Sequence, residues 1–550
     1  MGVHVALAGL SIEDRELVLD LLAQIRQRML TPEKLRQWDA DETFPEEAIR
    51  ELLGPKIGLQ LLFIPEEYGG MGGGARDIAA VSEEMAKICL GVATAFLAIH
   101  LGTDPILVGA TDAQKEKWLG KLAEEGTIVA YGVTEPEAGS NLQSFKTTAT
   151  PVTGDDGAVV GYTINGNKQF ISNGGYADFL TVLADTPEGP TFFIVEKGTP
   201  GFTAGKAEDK HGIRSSNTAP LAFDNVFVPI ENLVGGVPGK GLIQANEVFG
   251  YTRLMVACFG LGGGVAALQK VIPYAKERIQ FGTPLMEKQG YTHKLVLPYA
   301  AKLEAARAYI EEVAERLDSG ERDLQVEGAI AKLFASETGN SCADAAIQAL
   351  GGYGYIREYD VEKIKRDVKI TTIYEGTSEI QQLIISTFRW RTSVQSKYGF
   401  YENLAAQMEA VAAEQPGLKA AEFAGLVRMV NKIIEEAHKA KATRQQYVMF
   451  HIADLATVAE AGASLVKKAA AAAGTDRAEY LAVCARVNTA LAAQTVFTLA
   501  NEILYGTQKW EAAEAAAVLD SVGFNYPATQ SGLILDMDEL AILVSEGAFK

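Results

Sequence analysis

Apolar residues recur at helical spacing from Ser11 to about Glu125. Ser11 stands three residues ahead of Asp14, which is the arrangement of a helix N-cap. A glycine-rich loop at residues 65–74 interrupts the pattern, but no strand-turn-helix context surrounds it, so a dinucleotide-binding loop is not indicated. The pattern predicts an N-terminal helical domain over residues 1–126.

The hydrophobic period changes to two between about Thr127 and Val234. Short β-branched or aromatic runs, such as YTINGNKQFI and TFFIVEK, alternate there with Gly, Asn, Asp and Pro. We therefore predict a barrel-like β domain over residues 127–235. The GGVPGK segment that ends it is a turn and not a phosphate loop, because Gly241 stands where such a loop needs Ser or Thr.

Helical spacing resumes after the β domain. Apolar residues from Leu303 to Leu317 recur at alternating steps of three and four, and Gly320 ends the run. We predict a four-helix-bundle domain over residues 236–396 and an Ala-rich helical extension over residues 397–550. The predicted fold class is mainly α with a central β domain.

Composition narrows the possible partners. The 550 residues are 48% apolar and 22% charged, so the chain can bury a large core. A net charge of −20 argues against nucleic acid and anionic lipid as partners. The four cysteines and six histidines show no metal-site spacing, and no disulfide framework or metal site is expected. We also expect no leader peptide and no membrane span, and hence a cytoplasmic protein.

The strongest chemical signal is the stretch RDVKITTIYEGTSEIQ, which runs from Arg366 to Gln381. At its centre, Glu375 precedes a flexible glycine and two hydroxyl residues that could cap a helix. By itself this could be only a helix start. A second segment, YGVTEPEAGS from Tyr131 to Ser140, lies far away in the sequence.

Both segments resemble, in the same order, signature motifs of the acyl-CoA dehydrogenase family. The resemblance covers about Ile12 to Ser396, and residues 397–550 resemble the helical extension of its longer members. It implies FAD bound without a covalent link, which accepts a hydride from the β carbon of a thioester. Glu375 is then the base for the α proton, with a pKa that burial must raise. The N–H of Glu375 is implied to stabilise the thioester oxygen.

The resemblance implies cofactor-binding roles for residues in three parts of the chain. They are Tyr131, Val133, Thr134, Gly139 and Ser140; Phe170, Ile171 and Ser172; and Arg278, Phe281, Gln289, Gln348, Gly351, Gly352, Thr377 and Glu379. In the family the counterparts of Arg278, Phe281 and Gln289 reach the FAD of a neighbouring subunit, so at least a dimer is implied. From the residues alone, Phe170 could equally make a cross-strand aromatic contact.

The implied substrate-binding residues lie in four segments. They are Ser140; Tyr251, Thr252 and Arg253; Tyr374 and Gly376; with Ala93 and Leu97 at the base of the acyl cavity. Thr252 matches the position where a few relatives carry the base, and threonine cannot serve there at neutral pH. Arg253 resembles an arginine near CoA, although a surface or helix-cap arginine is the alternative. Asn217 replaces an aspartate common in the family.

The resemblance therefore implies dehydrogenation of an acyl-CoA to the trans-2-enoyl-CoA, as in the β-oxidation of fatty acids. A leucine at position 97 favours a short, medium, branched or cyclic acyl chain. The implied electron acceptor is electron-transfer flavoprotein. An oxidase that uses O₂, and a non-catalytic helical scaffold, are the alternatives. The acidic extension makes membrane contact unexpected and, by covering a face used for tetramers, favours a homodimer.

Overall fold

The computed structural model describes residues 9–550, apart from the side chains at positions 143 and 249–251. The N-terminal helices are α1 (Ile12–Arg28), α2 (Pro32–Asp41), α3 (Glu46–Leu53), α4 (Ala75–Ile88), α5 (Leu90–Gly109) and α6 (Asp112–Glu125). The predicted cap of α1 is confirmed, because the Asp14 N–H donates to the Ser11 hydroxyl over 3.0 Å.

Seven strands follow, and then a series of helices with one short hairpin. The strands are β1 (Val129–Gly132), β2 (Thr148–Thr153), β3 (Val159–Ser172), β4 (Phe179–Thr186), β5 (Gly189–Glu196), β6 (Phe202–Ala204) and β7 (Thr218–Pro229). After them come α7 (Gly241–Glu277), the hairpin β8 (Ile279–Gln280) and β9 (Thr283–Pro284), α8 (Gln289–Leu295), α9 (Leu297–Asp318), α10 (Gln325–Leu350), α11 (Val361–Val368) and α12 (Ser378–Gln395).

The predicted extension consists of helices joined by short turns and irregular connections. Its helices are α13 (Gly399–Glu414), α14 (Ala420–Lys439), α15 (Gln446–Ala471), α16 (Ala478–Gly506), α17 (Ala512–Asp520), α18 (Tyr526–Gln530) and α19 (Leu533–Ser545). The mainly α fold class with a central β domain is confirmed. The four predicted domain boundaries stay a prediction.

The described residues form two compact units. The first unit holds those up to Met255 together with Ala314–Arg322, and the second unit holds Val256–Val313 and Asp323–Lys550. The seven-stranded sheet lies in the first unit, in the order β1-β4-β2-β3-β7-β6, with β5 paired to β4.

The sheet of the first unit is open, so the barrel-like prediction is wrong. Among the described strands, no pairing joins the end strands β1 and β6. β2 meets β4 at the single pair Thr148 and Asp185, whereas β3 and β7 pair along most of their lengths. Alternation of apolar and polar residues predicts strands but does not show whether the last strand meets the first.

In the second unit, a buried ion pair connects the extension to the preceding helices. Arg389 of α12 donates to both carboxylate oxygens of Glu460 on α15 over 2.7 Å each, and to Glu327 of α10 over 3.0 Å. The hydroxyls of Tyr309 and Tyr401 donate to the same Glu460 over 3.1 and 3.0 Å. Burial, together with the Glu460 carboxylate, raises the pKa of both tyrosines well above the ordinary value, so they keep their protons.

Three helices correct the expectation that the chain has no candidate membrane span. By length and composition, α5, α7 and α15 are long and apolar enough to cross a membrane. Their most apolar windows are 83%, 83% and 78% buried within the protein. A helix that is apolar on all sides suits a protein core as well as a bilayer, and burial accounts for these three sequences.

The ion pair gives a prediction about stability. We expect Glu460→Gln to lower the free energy of unfolding by about 1.5–3 kcal/mol, because it removes the carboxylate that accepts two of the Arg389 hydrogen bonds and leaves only Glu327 to pair with the buried guanidinium. The measurement is urea unfolding followed by circular dichroism. The control is Glu409→Gln, which removes a more exposed pair with Arg428 and should change stability by less than about 0.5–1 kcal/mol. Equal effects of the two variants would contradict the prediction.

Candidate active site

In the second unit, the backbone between α11 and α12 makes an unusual turn at Glu375. Glu375 has a φ of 53° and Gly376 a φ of 89°, so two successive residues adopt the left-handed region. Glycine tolerates that region, but glutamate rarely adopts it without support from its surroundings. Residues Tyr374 to Thr377 are half-buried, so a ligand can reach the turn.

Two fully buried side chains hold the carbonyl groups of this turn. The Lys332 ammonium on α10 donates to the Gly376 carbonyl over 2.7 Å. The Gln381 amide on α12 donates to the carbonyls of Glu375 and Gly376 over 3.0 and 2.9 Å. Neither side chain was singled out from the sequence. The only available signal would have been a lysine within the apolar run of α10.

The start of α12 follows directly from the turn. Thr377 is its N-cap and accepts from the Ile380 N–H over 3.4 Å, while the Ser378 hydroxyl donates to Glu337 over 2.5 Å. Glu379 is exposed, and its own backbone N–H and the Thr377 hydroxyl lower the pKa of its carboxyl. The hydroxyl residues after Glu375 therefore do cap a helix.

The other predicted cofactor residues of the second unit are exposed and lie on connected segments. Phe281 forms the tip of the β8–β9 hairpin and is 97% exposed, with a φ of 52°. The exposed Gln289 begins α8, which is tied to the end of α10 by a hydrogen bond from the Tyr291 hydroxyl to the Ala349 carbonyl over 3.1 Å. That end of α10 carries the other exposed positions: Gln348, Gly351 and Gly352. Arg278, also exposed, immediately precedes the hairpin.

One of these residues contacts the extension. The Gln289 amide donates to both oxygens of Asp538 on α19 over 2.7 and 2.9 Å, and His293 lies 3.2 Å from the same carboxylate. The sequence did not indicate this contact, because 249 positions separate Gln289 from Asp538. The extension thus reaches the segment that the resemblance assigns to the neighbouring FAD.

In the first unit, the predicted flavin loop runs beside the predicted flavin strand. The Gln169 N–H donates to the Thr134 carbonyl over 2.9 Å, and the Lys168 ammonium donates to the Val133 carbonyl over 3.2 Å. These bonds bring the loop next to Phe170, which is 63% exposed with a φ of 59°. The side chain of Ile171 packs in the sheet core, so only its backbone is open to a ligand. Ser172 and Tyr131 are half-buried.

A buried ion pair supports this loop. The fully buried Lys168 ammonium lies 2.7 Å from Glu135, which also accepts from the backbone N–H groups of Lys146 and Thr147 over 2.6 and 3.0 Å. Burial lowers the pKa of Lys168 to about 8. Burial alone would raise the pKa of Glu135. Hydrogen bonds from Lys168, Thr147 and the Lys146 backbone outweigh burial, so the pKa of Glu135 is lowered. The sequence did not reveal this pair.

Four of the predicted substrate residues of the first unit are buried on helices. Thr252 and Arg253 lie within α7, and Ala93 and Leu97 lie within α5. The side chain of Tyr251 lies outside the described residues. Gly139 and Ser140 are exposed in the flavin loop.

Asn217 acquires a structural role in the first unit. Its side-chain oxygen accepts from the Gly175 N–H over 2.8 Å, and its carbonyl accepts from the Asn173 N–H over 2.9 Å. It therefore holds the turn that follows the Phe170 strand.

Three domain descriptions of one family match the chain in order. They are the acyl-CoA dehydrogenase N-terminal, middle and C-terminal domains, at residues 12–126, 130–226 and 239–388. A short-chain specific acyl-CoA dehydrogenase from Megasphaera elsdenii is 40% identical over 375 residues, which cover 66% of this chain and 95% of that protein. The chain belongs to the acyl-CoA dehydrogenase family. It is accordingly an FAD-dependent oxidoreductase.

Two solved structures resemble this acyl-CoA dehydrogenase over different lengths. A chain from a structure of the electron transferring flavoprotein of Acidaminococcus fermentans has a TM-score of 0.64 and 35% identity, and the match covers 68% of this chain and 98% of that one. An acyl-CoA dehydrogenase from Bacillus anthracis, complexed with FAD, has a TM-score of 0.85 at 24% identity, covering 98% and 97%. The second likeness shows the fold alone, and it includes the extension.

The residues of this acyl-CoA dehydrogenase fit FAD. Gly139, Gly351 and Gly352 have no described atom within 4 Å of the place where a Cβ would lie, so there is open space beside their backbone that a ligand could occupy. The exposed Phe170 ring stands next to the flavin loop, where a planar ring could pack on it. The predicted roles of the individual residues stay predictions.

The buried ion pair between Lys168 and Glu135 gives a prediction about FAD binding and stability. We expect Lys168→Met to weaken FAD binding and to lower the free energy of unfolding by about 3–5 kcal/mol, because the buried Glu135 carboxylate loses its cation. FAD titration and urea unfolding measure the two effects. The ionised Glu135 stabilises the fold above its ordinary pKa, and this stabilisation is lost as the pH falls through its lowered pKa. The difference in unfolding free energy between Lys168→Met and the wild type should therefore shrink in strong acid.

Lys146→Met is the matched control for this variant. It removes an exposed lysine that pairs with Glu137 in the same loop. FAD affinity and stability should stay close to those of the wild type. If Lys168→Met behaves like this control, the pair does not support the loop.

Proposed function

We propose that this acyl-CoA dehydrogenase removes hydrogen from the α and β carbons of an acyl-CoA thioester to give the trans-2-enoyl-CoA. The observation that carries the proposal is the left-handed turn that presents Glu375, a half-buried carboxylate on a backbone held by two buried donors. Strained backbone that persists because its surroundings hold it is common at catalytic residues.

Glu375 takes the α proton in this proposal. A thioester that covers the half-buried carboxylate would remove water from it, which favours proton uptake. The Glu375 N–H donates to the thioester oxygen, where negative charge develops as the proton leaves. Bound FAD supplies the acceptor for the β hydride, which no side chain can provide.

Other residues hold the substrate. We assign Arg253 to the CoA portion, and Tyr251, Thr252, Tyr374, Gly376 and Ser140 to the thioester end. Ala93 and Leu97 limit the room for the acyl chain, and both are buried on α5. We therefore propose a short, medium, branched or cyclic acyl group. The 40% identity to a short-chain specific relative supports this class.

We propose electron-transfer flavoprotein as the electron acceptor. Similarity to a chain solved in a study of such a flavoprotein supports this choice. An oxidase would instead form peroxide steadily without an added acceptor. A non-catalytic scaffold would purify without flavin and fail to take up FAD.

The central test compares wild type with Glu375→Gln. Anaerobic addition of butyryl-, hexanoyl-, octanoyl- or palmitoyl-CoA to the wild type should bleach the flavin, fastest with one of the shorter thioesters. Glu375→Gln should slow bleaching by about 10²- to 10⁴-fold, because the amide cannot accept the proton. The measurement is stopped-flow absorbance of the flavin.

Glu414→Gln, on the exposed surface of the extension, is the control and should bleach like the wild type. Equal bleaching in Glu375→Gln would mean that another group is the base. Preference for palmitoyl-CoA would refute the proposed substrate class.

We further propose that the protein is a homodimer in which Phe281 packs against the partner. An aromatic ring that is 97% exposed at the tip of a hairpin supports a contact outside the chain. Phe281→Asp should therefore give the mass of a monomer by light scattering and lose FAD. Tyr447→Asp, a control at an exposed aromatic of the extension, should stay dimeric. A tetrameric wild type would refute the proposed dimer.

A further inference from the structure

The turn at Glu375 leaves two carbonyl groups that must find donors. Two successive left-handed residues take the backbone out of the helical path, so the carbonyls of Glu375 and Gly376 are not satisfied by helical hydrogen bonds. The Glu375 carbonyl accepts instead from the buried Gln381 amide, and the Gly376 carbonyl accepts from both Gln381 and the buried Lys332. We propose that Lys332 and Gln381 are positioning residues that hold the Glu375 backbone in its reactive conformation. This inference rests on the proposed function of Glu375 as the base.

The burial of Lys332 supports this role. It is fully buried on α10, between Ala331 and Leu333, which are themselves buried. A buried ammonium group is costly unless it makes hydrogen bonds, and packing alone would favour an apolar residue at this position. A charged donor makes a shorter and stronger bond, in keeping with the 2.7 Å distance to the Gly376 carbonyl. The lysine therefore provides a strong bond to the turn.

Gln381, which follows the turn in the sequence whereas Lys332 precedes it, donates the other hydrogen bonds to the two carbonyls. Its single NH₂ group serves both carbonyls, at 3.0 and 2.9 Å. The Gly376 oxygen thus receives one bond from each side chain and uses both of its lone pairs. The peptide group after Gly376 cannot rotate without breaking two buried hydrogen bonds. A Cβ at Gly376 would lie 2.6 Å from the Gln381 nitrogen, so the close approach also requires glycine.

Loss of either donor should lower the rate of flavin reduction and leave the binding of the substrate unchanged. The N–H of Glu375 stabilises charge on the thioester oxygen only if it points at that oxygen before the proton leaves. If Lys332 or Gln381 is replaced, Glu375 and Gly376 can relax from the left-handed region to ordinary negative φ values. The carboxylate and the N–H would then both move away from the thioester. CoA binding, which we assign to other residues, would be unaffected.

The experiment uses the FAD-loaded protein and four variants. Lys332→Met and Gln381→Leu each remove one donor. Lys365→Met is the matched lysine control, because its ammonium donates to the Asn340 carbonyl over 3.1 Å, away from the turn. Gln382→Leu is the matched glutamine control, since the neighbouring Gln382 bonds Asp454 on α15.

We expect three results from Lys332→Met and Gln381→Leu. Flavin bleaching at saturating butyryl- or octanoyl-CoA should slow by about ten- to a hundred-fold, as for a lost buried hydrogen bond. The thioester concentration at half-saturation should stay within about three-fold of the wild type. Amide hydrogen exchange of residues 374–381 should accelerate by about ten-fold or more. As a check on cofactor loading, the flavin content should match that of the controls.

The proposal is overturned if either variant bleaches and exchanges like its control, or if half-saturation shifts while the bleaching rate at saturation does not. If Lys332→Met does not fold, Gln381→Leu carries the same test. Amide exchange separates this inference from the proposed function. A wild type that no thioester bleaches would refute the function, whereas unchanged exchange in both variants would refute the positioning role alone.

Discussion

The buried ion pair between Arg389 and Glu460 sets the position of α12, the helix that follows the turn at Glu375. Arg389 lies three turns along α12, whose first residue follows the turn at Glu375 by only three positions. Two buried charges are tolerated only when each finds a nearly complete set of partners, and Tyr309 and Tyr401 supply the remaining hydrogen bonds. A shift of α12 would break this set, so the helix has one favoured position.

This ion pair also explains why the extension is part of the second unit. Tyr401 and Glu460 belong to the extension, while Arg389 lies on α12, one residue past the segment that matches the family's C-terminal domain. The extension supplies the Glu460 carboxylate, which together with Glu327 neutralises the buried Arg389 guanidinium on α12. It also holds Gln289 through Asp538. Its removal would leave buried polar groups without partners, which costs more than losing the same contacts at a surface.

The same physical device recurs at three places in the protein. Arg389 and Glu460 fix a helix, Lys168 and Glu135 fix the flavin loop, and Lys332 fixes the turn at Glu375. In each case a buried charged side chain holds a neighbouring helix, loop or turn, and in the last two it bonds backbone that no regular secondary structure satisfies. Catalysis by preorganised dipoles requires backbone that does not reorganise, and buried charge-assisted bonds provide that rigidity.

Local sequence patterns determined the types of element, the cap at Ser11, the helical extension and the candidate base Glu375, because these depend on neighbouring residues and short motifs. Local patterns did not predict how the strands pair, and the sheet is open where a barrel-like domain was expected. Tertiary structure alone decided which distant side chains support the site. Lys332 lies 44 positions before Gly376, and in the sequence it is one more lysine on a helix. Only the packing of α10 against the turn buries its ammonium and gives it a carbonyl partner.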